Sequence, residues 1–306
     1  YTFCMRRIKL NNISWISLIR PGQDDIRELQ QEFPEIHPIV IEELLTPTIR
    51  PRVEHYERHL YMVLHFPKVM PDGETITTRE MDFILMKNTL ITVQYDTTML
   101  LEEFMHECEH PEAATRFGET PVHLLYYMLR ELFAESLTEL DRIQGLIDEI
   151  EERVFGGDGK EIAKKTSILK RNVLDFRRAI KPELYTFESL RERATEFYGP
   201  SVRPFLIDLA GEHQKVWSLL ENHEEALDAL FETNNALIAD RTSTIIKTLT
   251  IMAFFTFPLT LISGVFGMNT LYTPIVENHN GFWIIIGIMA ASVVVMITIF
   301  KKKKWL

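Results

Sequence analysis

Two uncharged, strongly apolar runs near the end of the chain, Leu249 to Phe266 and Phe282 to Phe300, constrain its fold more than any other feature. Each is close to the ~20 residues that a helix needs to cross the hydrocarbon core of a bilayer. In lipid the backbone must satisfy its own hydrogen bonds, so the pair predicts two transmembrane helices. The segment between them begins Gly267-Met268-Asn269, and Lys301-Lys302-Lys303-Lys304-Trp305-Leu306 follows the second run. Neither run fits a signal peptide, because a large folded region precedes both.

The remainder belongs in water. A quarter of the 306 residues are charged and the net charge is −11. With two spans, both ends of the chain lie on one side. The loop from Asn269 to Gly281 has no Lys or Arg, whereas Arg241, Lys247 and the four tail lysines flank the other ends. The positive-inside bias therefore predicts that both termini are cytoplasmic, in the cell (inner or plasma) membrane. Cys4 and Cys108 are the only cysteines, which suits a reducing compartment. The chain opens on Tyr1 rather than Met, and the expectation is that the natural N-terminus lies further upstream.

Up to about Tyr95 strand and helix patterns alternate. Ile13–Ile19, Leu60–Phe66, Asp82–Met86 and Leu90–Gln94 read as strands, with Pro71-Asp72-Gly73 a turn. Asp24–Phe33 and His37–Leu45 read as helices, the second stopped before Pro47. After Thr97 helices are expected at about 97–109, 119–154, 159–180 and 183–196, broken at Gly156-Gly157 and Pro182. The last helical pattern runs from Pro204 to Phe266, on the order of 90 Å at ~1.5 Å per residue, so part of it must project from the membrane as a stalk. Leu209, Val216, Leu220, Leu227, Leu230, Asn234 and Leu237 recur at threes and fours along it. That seam suits packing within a protomer or against neighbours, or pore lining along the upper stalk.

The fold class expected is an α+β membrane protein: an N-terminal cytoplasmic α/β domain, a long helical stalk and two transmembrane helices at the C-terminus. Its parts are a cytoplasmic α/β domain at 1–96, a cytoplasmic helical region at 97–200, and a stalk helix at 201–243. The stalk continues into the first transmembrane helix at 244–266. An external loop at 267–281, the second transmembrane helix at 282–300 and a basic cytoplasmic tail at 301–306 complete the chain.

Gly-Met-Asn between two closing apolar runs resembles the CorA family of divalent-cation channels. The resemblance extends over nearly the whole chain. Ile36-His37-Pro38-Ile39-Val40-Ile41-Glu42-Glu43-Leu44 and Arg50-Pro51-Arg52-Val53-Glu54 are similar to the family's IHPL–E–D and RPKVE segments. Pro258-Leu259-Thr260 resembles the PLT of the pore helix, and the lysine tail matches the family's basic C-terminus. The loop departs from the pattern: Phe266 replaces the usual Tyr, Thr270 a frequent Phe, and Thr273-Pro274-Ile275-Val276-Glu277 stands where MPEL is usual. Those departures leave the preferred ion open. The resemblance implies a homopentamer with the first membrane helix around a central pore. Independently, two helices enclose no lumen, so a cation path requires oligomerisation.

Magnesium gives up water reluctantly, so an entrance can select the hydrated ion with neutral oxygen acceptors. Asn269 supplies a carboxamide and Gly267 exposes carbonyls at the helix end, with Met268 orienting them. A Gly/Asn helix cap is the plainer reading of the same residues. Ile246, Leu249, Ala253, Phe257, Thr260 and Gly264 share one helix face, which the resemblance selects as pore-lining. Thr260 offers a hydroxyl to the hydration shell, while Ile246, Leu249 and Phe257 suit apolar constrictions. Packing against the second membrane helix is equally compatible with that spacing. No carboxylate lies between Asp240 and Glu277, which fits passive conduction better than a charged relay.

In the family a carboxylate of the IHPL–E–D helix meets one on a neighbour's stalk through a bound magnesium. By motif position these are Glu43, with Glu42 adjacent, and Asp208. Ordinary solvated acids are the plainer alternative. The implied function is magnesium influx, with cobalt or nickel also carried, driven by membrane potential and closed by cytoplasmic magnesium. Magnesium is then both transported and regulatory, and no organic cofactor is expected. The alternatives are a zinc transporter of the ZntB type and a membrane-anchored metal sensor. The tail lysines suit anionic lipid headgroups, and the acidic charge argues against nucleic acid. His106-Glu107-Cys108-Glu109-His110 mimics a metal motif, but on a helix Cys108 points away from the two histidines. No enzyme motif is present, so no enzymatic activity is expected.

Overall fold

The structure is a computed structural model that describes residues 5–48, 50–70, 76–96, 99–110, 112–117, 119–156, 159–268, 275 and 279–303. The chain divides into two compact units, Tyr1–Asn234 and Asn235–Leu306.

The first unit is built on a six-stranded sheet of β1 (Met5–Leu10), β2 (Ile13–Ile19), β3 (Arg52–His55), β4 (His59–Val69), β5 (Ile76–Met86) and β6 (Thr89–Gln94). The strand order is β1-β2-β6-β5-β4-β3. Only β2 and β6 run parallel; every other neighbouring pair is antiparallel. The β4–β5 ladder extends to Val69 opposite Ile76, and the expected turn at Pro71-Asp72-Gly73 lies outside the described residues. The four sequence-read strands lie within β2, β4, β5 and β6. β1 and β3 escaped sequence reading for local reasons. Met-Arg-Arg-Ile-Lys-Leu is an edge strand with little buried surface, and β3 is four residues long directly after Pro51.

Two short helices, α1 (Gln23–Glu32) and α2 (Pro38–Glu43), pack on one sheet face through Ile26, Leu29, Val40 and Ile41. They meet Ile16, Leu18, Val63, Ile84, Ile91 and Val93, all buried. The strands alternate, so the opposite face carries Trp15, whose ring lies 5.7 Å from Phe104 of α3 (Met99–Cys108), and Phe66, 6.1 Å from Phe133. Short α4 (Ala113–Arg116) precedes α5 (Pro121–Gly156), α6 (Gly159–Ile180) and α7 (Glu183–Tyr198), which follow the expected breaks closely. Among the described residues no strand follows Gln94.

A polar detail explains how α7 is held. β3 covers β4 only up to Val63, so the N–H of His65 at the free edge needs another acceptor. Glu183 supplies one: its Oε1 accepts from His65 N at 2.6 Å. Glu183 is fully buried, and burial pushes its carboxyl well above the ordinary carboxylate range.

Helix α8 (Arg203–Phe266) has 64 residues and belongs to both units. In the first unit its seam is packed within the chain: Leu209, Val216, Leu220, Leu227 and Asn234 are buried, with Leu206, His213, Trp217 and His223. Arg177 of α6 pairs with Glu224 and lies 5.3 Å over the Trp217 ring. His213 Nε2 lies 3.1 Å from the Ile180 carbonyl oxygen. In the second unit α8 is joined by α9 (Gly281–Lys302).

Candidate functional site

Both α8 and α9 contain stretches long and apolar enough to cross a membrane, and those stretches are unburied in the single chain. A soluble protein's core helix would be covered, so lipid or other copies of the chain must cover these. Within the second unit the two helices meet along a defined stripe. Phe255, Leu259, Ile262 and Phe266 are half-buried on α8, as are Ile285, Met289, Ser292, Val293 and Met296 on α9. Phe300 is buried and stacks on Phe255 at 5.6 Å.

The face Ile246, Leu249, Ala253, Phe257, Thr260 and Gly264 is not that stripe. All six residues are exposed in the single chain, Phe257 at 72 %. Packing against the second helix is therefore taken by other residues. The Thr260 hydroxyl donates to the Thr256 carbonyl at 2.9 Å, which leaves its oxygen lone pairs free to accept. Pro258 lies inside α8, and the helix continues through it, although proline removes the bond to the Phe254 carbonyl.

The helix closes at Gly267, whose N–H donates to Ser263 O at 2.9 Å. A Cβ on residue 267 would lie 2.9 Å from that same carbonyl oxygen. Glycine is thus required by close backbone approach, not by a left-handed φ, which among the described glycines occurs only at Gly199. Met268 is exposed. Asn269 lies outside the described residues, as do Thr270, Thr273, Pro274, Val276, Glu277 and the tail from Lys304.

The carboxylates singled out for regulation all lie in the first unit. Glu42 and Glu43 end α2; Glu42 is exposed and Glu43 half-buried. His37 caps α2, its Nδ1 accepting from Ile39 N at 3.3 Å, and its ring stacks on Tyr56, which stacks on His59. Burial lowers His59 to about 4, helped by the nearby His37. Glu43 pairs with Arg52 of β3, whose Nε also donates to Glu54 at 2.9 Å. The Arg52 guanidinium lies 5.4 Å over the Tyr61 ring. Asp208 is exposed on α8 and accepts from the Tyr126 hydroxyl at 2.8 Å. Burial, then the bond to Asp208, raises the Tyr126 phenol.

Carboxylate oxygens are hard donors of the kind Mg2+ takes, so Glu43, Glu42 and Asp208 suit it chemically. One chain does not complete a cage: among the described residues no three His, Cys, Asp or Glu side chains converge on a common point. The His106–His110 segment is divided in the same sense. Cys108 is buried, its thiol pushed up to about 12 by burial, while His106 is exposed and lies 3.3 Å from Glu109.

Sequence reading missed a buried acidic pair beneath this region. Glu80 and Asp82 are two apart on β5 and so share a sheet face. Asp82 accepts from Tyr95 at 2.9 Å and Tyr61 at 3.3 Å, and Glu80 from Thr48 N at 2.7 Å. Burial first, then the neighbouring Glu80, raises the Asp82 carboxyl to about 8. The signal lay in two acids at alternate positions of β5, just ahead of the apolar run Phe83–Met86.

An α/β domain whose last helix continues into an apolar span, with a second span after it, defines a class of two-span helical membrane proteins. The family model described as CorA-like Mg2+ transporter protein matches residues 11–302. The chain belongs to that family. It is 27 % identical to the cobalt/magnesium transport protein CorA of Thermotoga maritima over 293 residues, covering 96 % of this chain and 83 % of that one. The complete structure of the CorA magnesium transporter from Methanocaldococcus jannaschii superposes with a TM-score of 0.85 at 20 % identity, covering 96 % and 92 % of the two chains. The ZntB cytoplasmic domain from Vibrio parahaemolyticus superposes with a TM-score of 0.60 at 14 % identity, covering 75 % and 89 %.

Proposed function

We propose that the chain forms a homopentameric channel in the cell membrane, with both termini cytoplasmic, that admits magnesium. The carrying observation is the exposed α8 face from Ile246 to Gly264, which runs up to Gly267-Met268-Asn269 in a chain of this family. A single copy leaves that face uncovered, and two helices enclose no lumen. Around a central axis the same face becomes a conduit with apolar rings at Ile246, Leu249 and Phe257, the Thr260 hydroxyl above them, and the Asn269 carboxamides at the entrance. The Thermotoga relative's name supports cobalt as a second cargo; nickel follows from the same uncharged lining. The tail lysines then rest on anionic headgroups of the inner leaflet.

Influx is driven by the membrane potential. A divalent ion gains roughly 4.6 kcal/mol per 100 mV on entering a negative interior, and the apolar segments hold no carboxylate for a proton relay. Depolarising liposomes that hold the purified protein should stop magnesium uptake without any nucleotide being present. Uptake that survives depolarisation would exclude potential-driven conduction. Zinc flux exceeding magnesium flux would instead favour a ZntB-like transporter, and no flux of either would favour a sensor.

Cytoplasmic magnesium closes the channel by bridging Glu43, with Glu42 beside it, to Asp208 of a neighbouring subunit. Carboxylates brought together at an interface repel unless a cation offsets them. Replacing Glu43 by Gln and Asp208 by Asn together should leave the channel conducting at internal magnesium concentrations that shut the parent. Unchanged inhibition in that double variant would remove these residues from regulation.

A further inference from the structure

The two carboxylates assigned to closing are not bare, although they lie on different elements. Each is engaged by a donor from its own chain: Glu43 by the Arg52 guanidinium, and Asp208 by the Tyr126 hydroxyl at 2.8 Å. We propose that Arg52 and Tyr126 are built-in competitors for the closing cation, and that exchange against them sets the concentration at which the channel shuts. The inference rests on the reading of Glu43 and Asp208 as the closing site.

Arg52 is suited to exchange, not only to static pairing. Its NH2 group reaches Glu43 while Nε holds Glu54 at 2.9 Å, and its Cζ lies 5.4 Å over the Tyr61 ring. Glu54 is anchored in turn by the Tyr56 hydroxyl at 2.7 Å. When Glu43 turns to a divalent cation, the guanidinium therefore keeps one carboxylate and one aromatic face and is not left uncompensated. Glu43 and Arg52 are about one third and one quarter exposed, so water and ions can reach the pair and the exchange is not blocked by burial.

Tyr126 acts on the other carboxylate. Its ring is fixed between Tyr127 and Phe205, each with its centroid 5.1 Å away, and Arg130 reaches the hydroxyl at 3.4 Å. The hydroxyl is thus aimed at Asp208 by packing, with a cation behind it. A cation that takes both carboxylates must displace a charge-assisted hydrogen bond from an uncharged hydroxyl at Asp208 and an ion pair at Glu43, and each raises the threshold.

The test is a titration of the purified full-length protein in detergent with MgCl2, reading the rise in apparent Tm, beside the internal magnesium that halves flux in liposomes. Arg52→Gln should lower the half-maximal concentration roughly twofold to fivefold, as expected for removing a partly exposed ion pair. Tyr126→Phe should lower it about twofold to tenfold, as expected for one solvent-accessible hydrogen bond to a carboxylate. Arg52→Lys, which keeps the charge but loses the fork, should fall between parent and Gln variant, and it serves if the Gln variant does not fold. An unchanged or raised midpoint in Arg52→Gln or Arg52→Lys, with the Glu43→Gln/Asp208→Asn double variant insensitive to magnesium, would overturn the competitor role alone. A double variant that still responds like the parent would overturn the closing-site reading, and this inference with it.

Discussion

Asn269→Ala is expected to cut potential-driven magnesium uptake more than roughly tenfold while leaving assembly intact. In the proposed channel the ion would reach the entrance with its water shell, because stripping Mg2+ is costly. A ring of carboxamide oxygens can bind that shell without holding the ion so firmly that it cannot leave. At about 1 kcal/mol for each hydrogen bond lost, removing the carboxamide from several subunits at once should lower uptake by more than roughly tenfold. The substituted position follows the last residue of α8 in sequence, fourteen residues after Phe255, so the packing of Phe255 on Phe300 should be untouched. Size-exclusion chromatography and liposome flux of parent and variant check the two halves. Uptake retained in a correctly assembled variant would place ion recognition elsewhere along the pathway.

The second large effect concerns stability. Asp82 is completely buried, and its carboxyl is raised to about 8 by burial and by Glu80. In the unfolded chain the same group releases its proton near the ordinary value of 3.8. Between those values the native state binds the extra proton, so stability falls as pH rises through the window and the contribution is lost by about pH 8. An Asn at this position is neutral at every pH. Asp82→Asn should therefore flatten the decline, matching the parent near pH 5 and exceeding it at pH 8.5. The expected difference is about 4 kcal/mol, three pH units at roughly 1.4 kcal/mol each, or roughly 8–16 °C in apparent Tm. Thermal scans of both proteins across that range decide it. Parallel curves would mean that Asp82 is ionised in the native state.

How much of this was legible in advance depends on the range of the interaction. The two spans, the helix breaks at Gly156 and Pro182, and strands β2, β4, β5 and β6 are local patterns of hydropathy and backbone breakers, and they were readable residue by residue. So was the class of the chain, since Gly267-Met268-Asn269 carries its meaning through position between two apolar runs. β1 and β3 were not legible, because an exposed edge strand and a four-residue strand bury too little to impose alternation.

Polar partnerships lay further out of reach. Sequence alone determined which acids exist, where the chain must meet lipid, and which six residues share a helix face. Only the tertiary structure decided that Glu183 caps the edge of β4 at His65, 118 residues away. It also decided that Glu43 rests on Arg52, Asp208 on Tyr126, and that the exposed face from Ile246 to Gly264, proposed to line the pore, is not the stripe that holds α9. Hydropathy is a property of each residue and its near neighbours, whereas a buried charge or hydroxyl is satisfied by whichever group the topology delivers. That delivery is set by the strand order and by the packing of α5, α6 and α7 against α8, which no local pattern encodes.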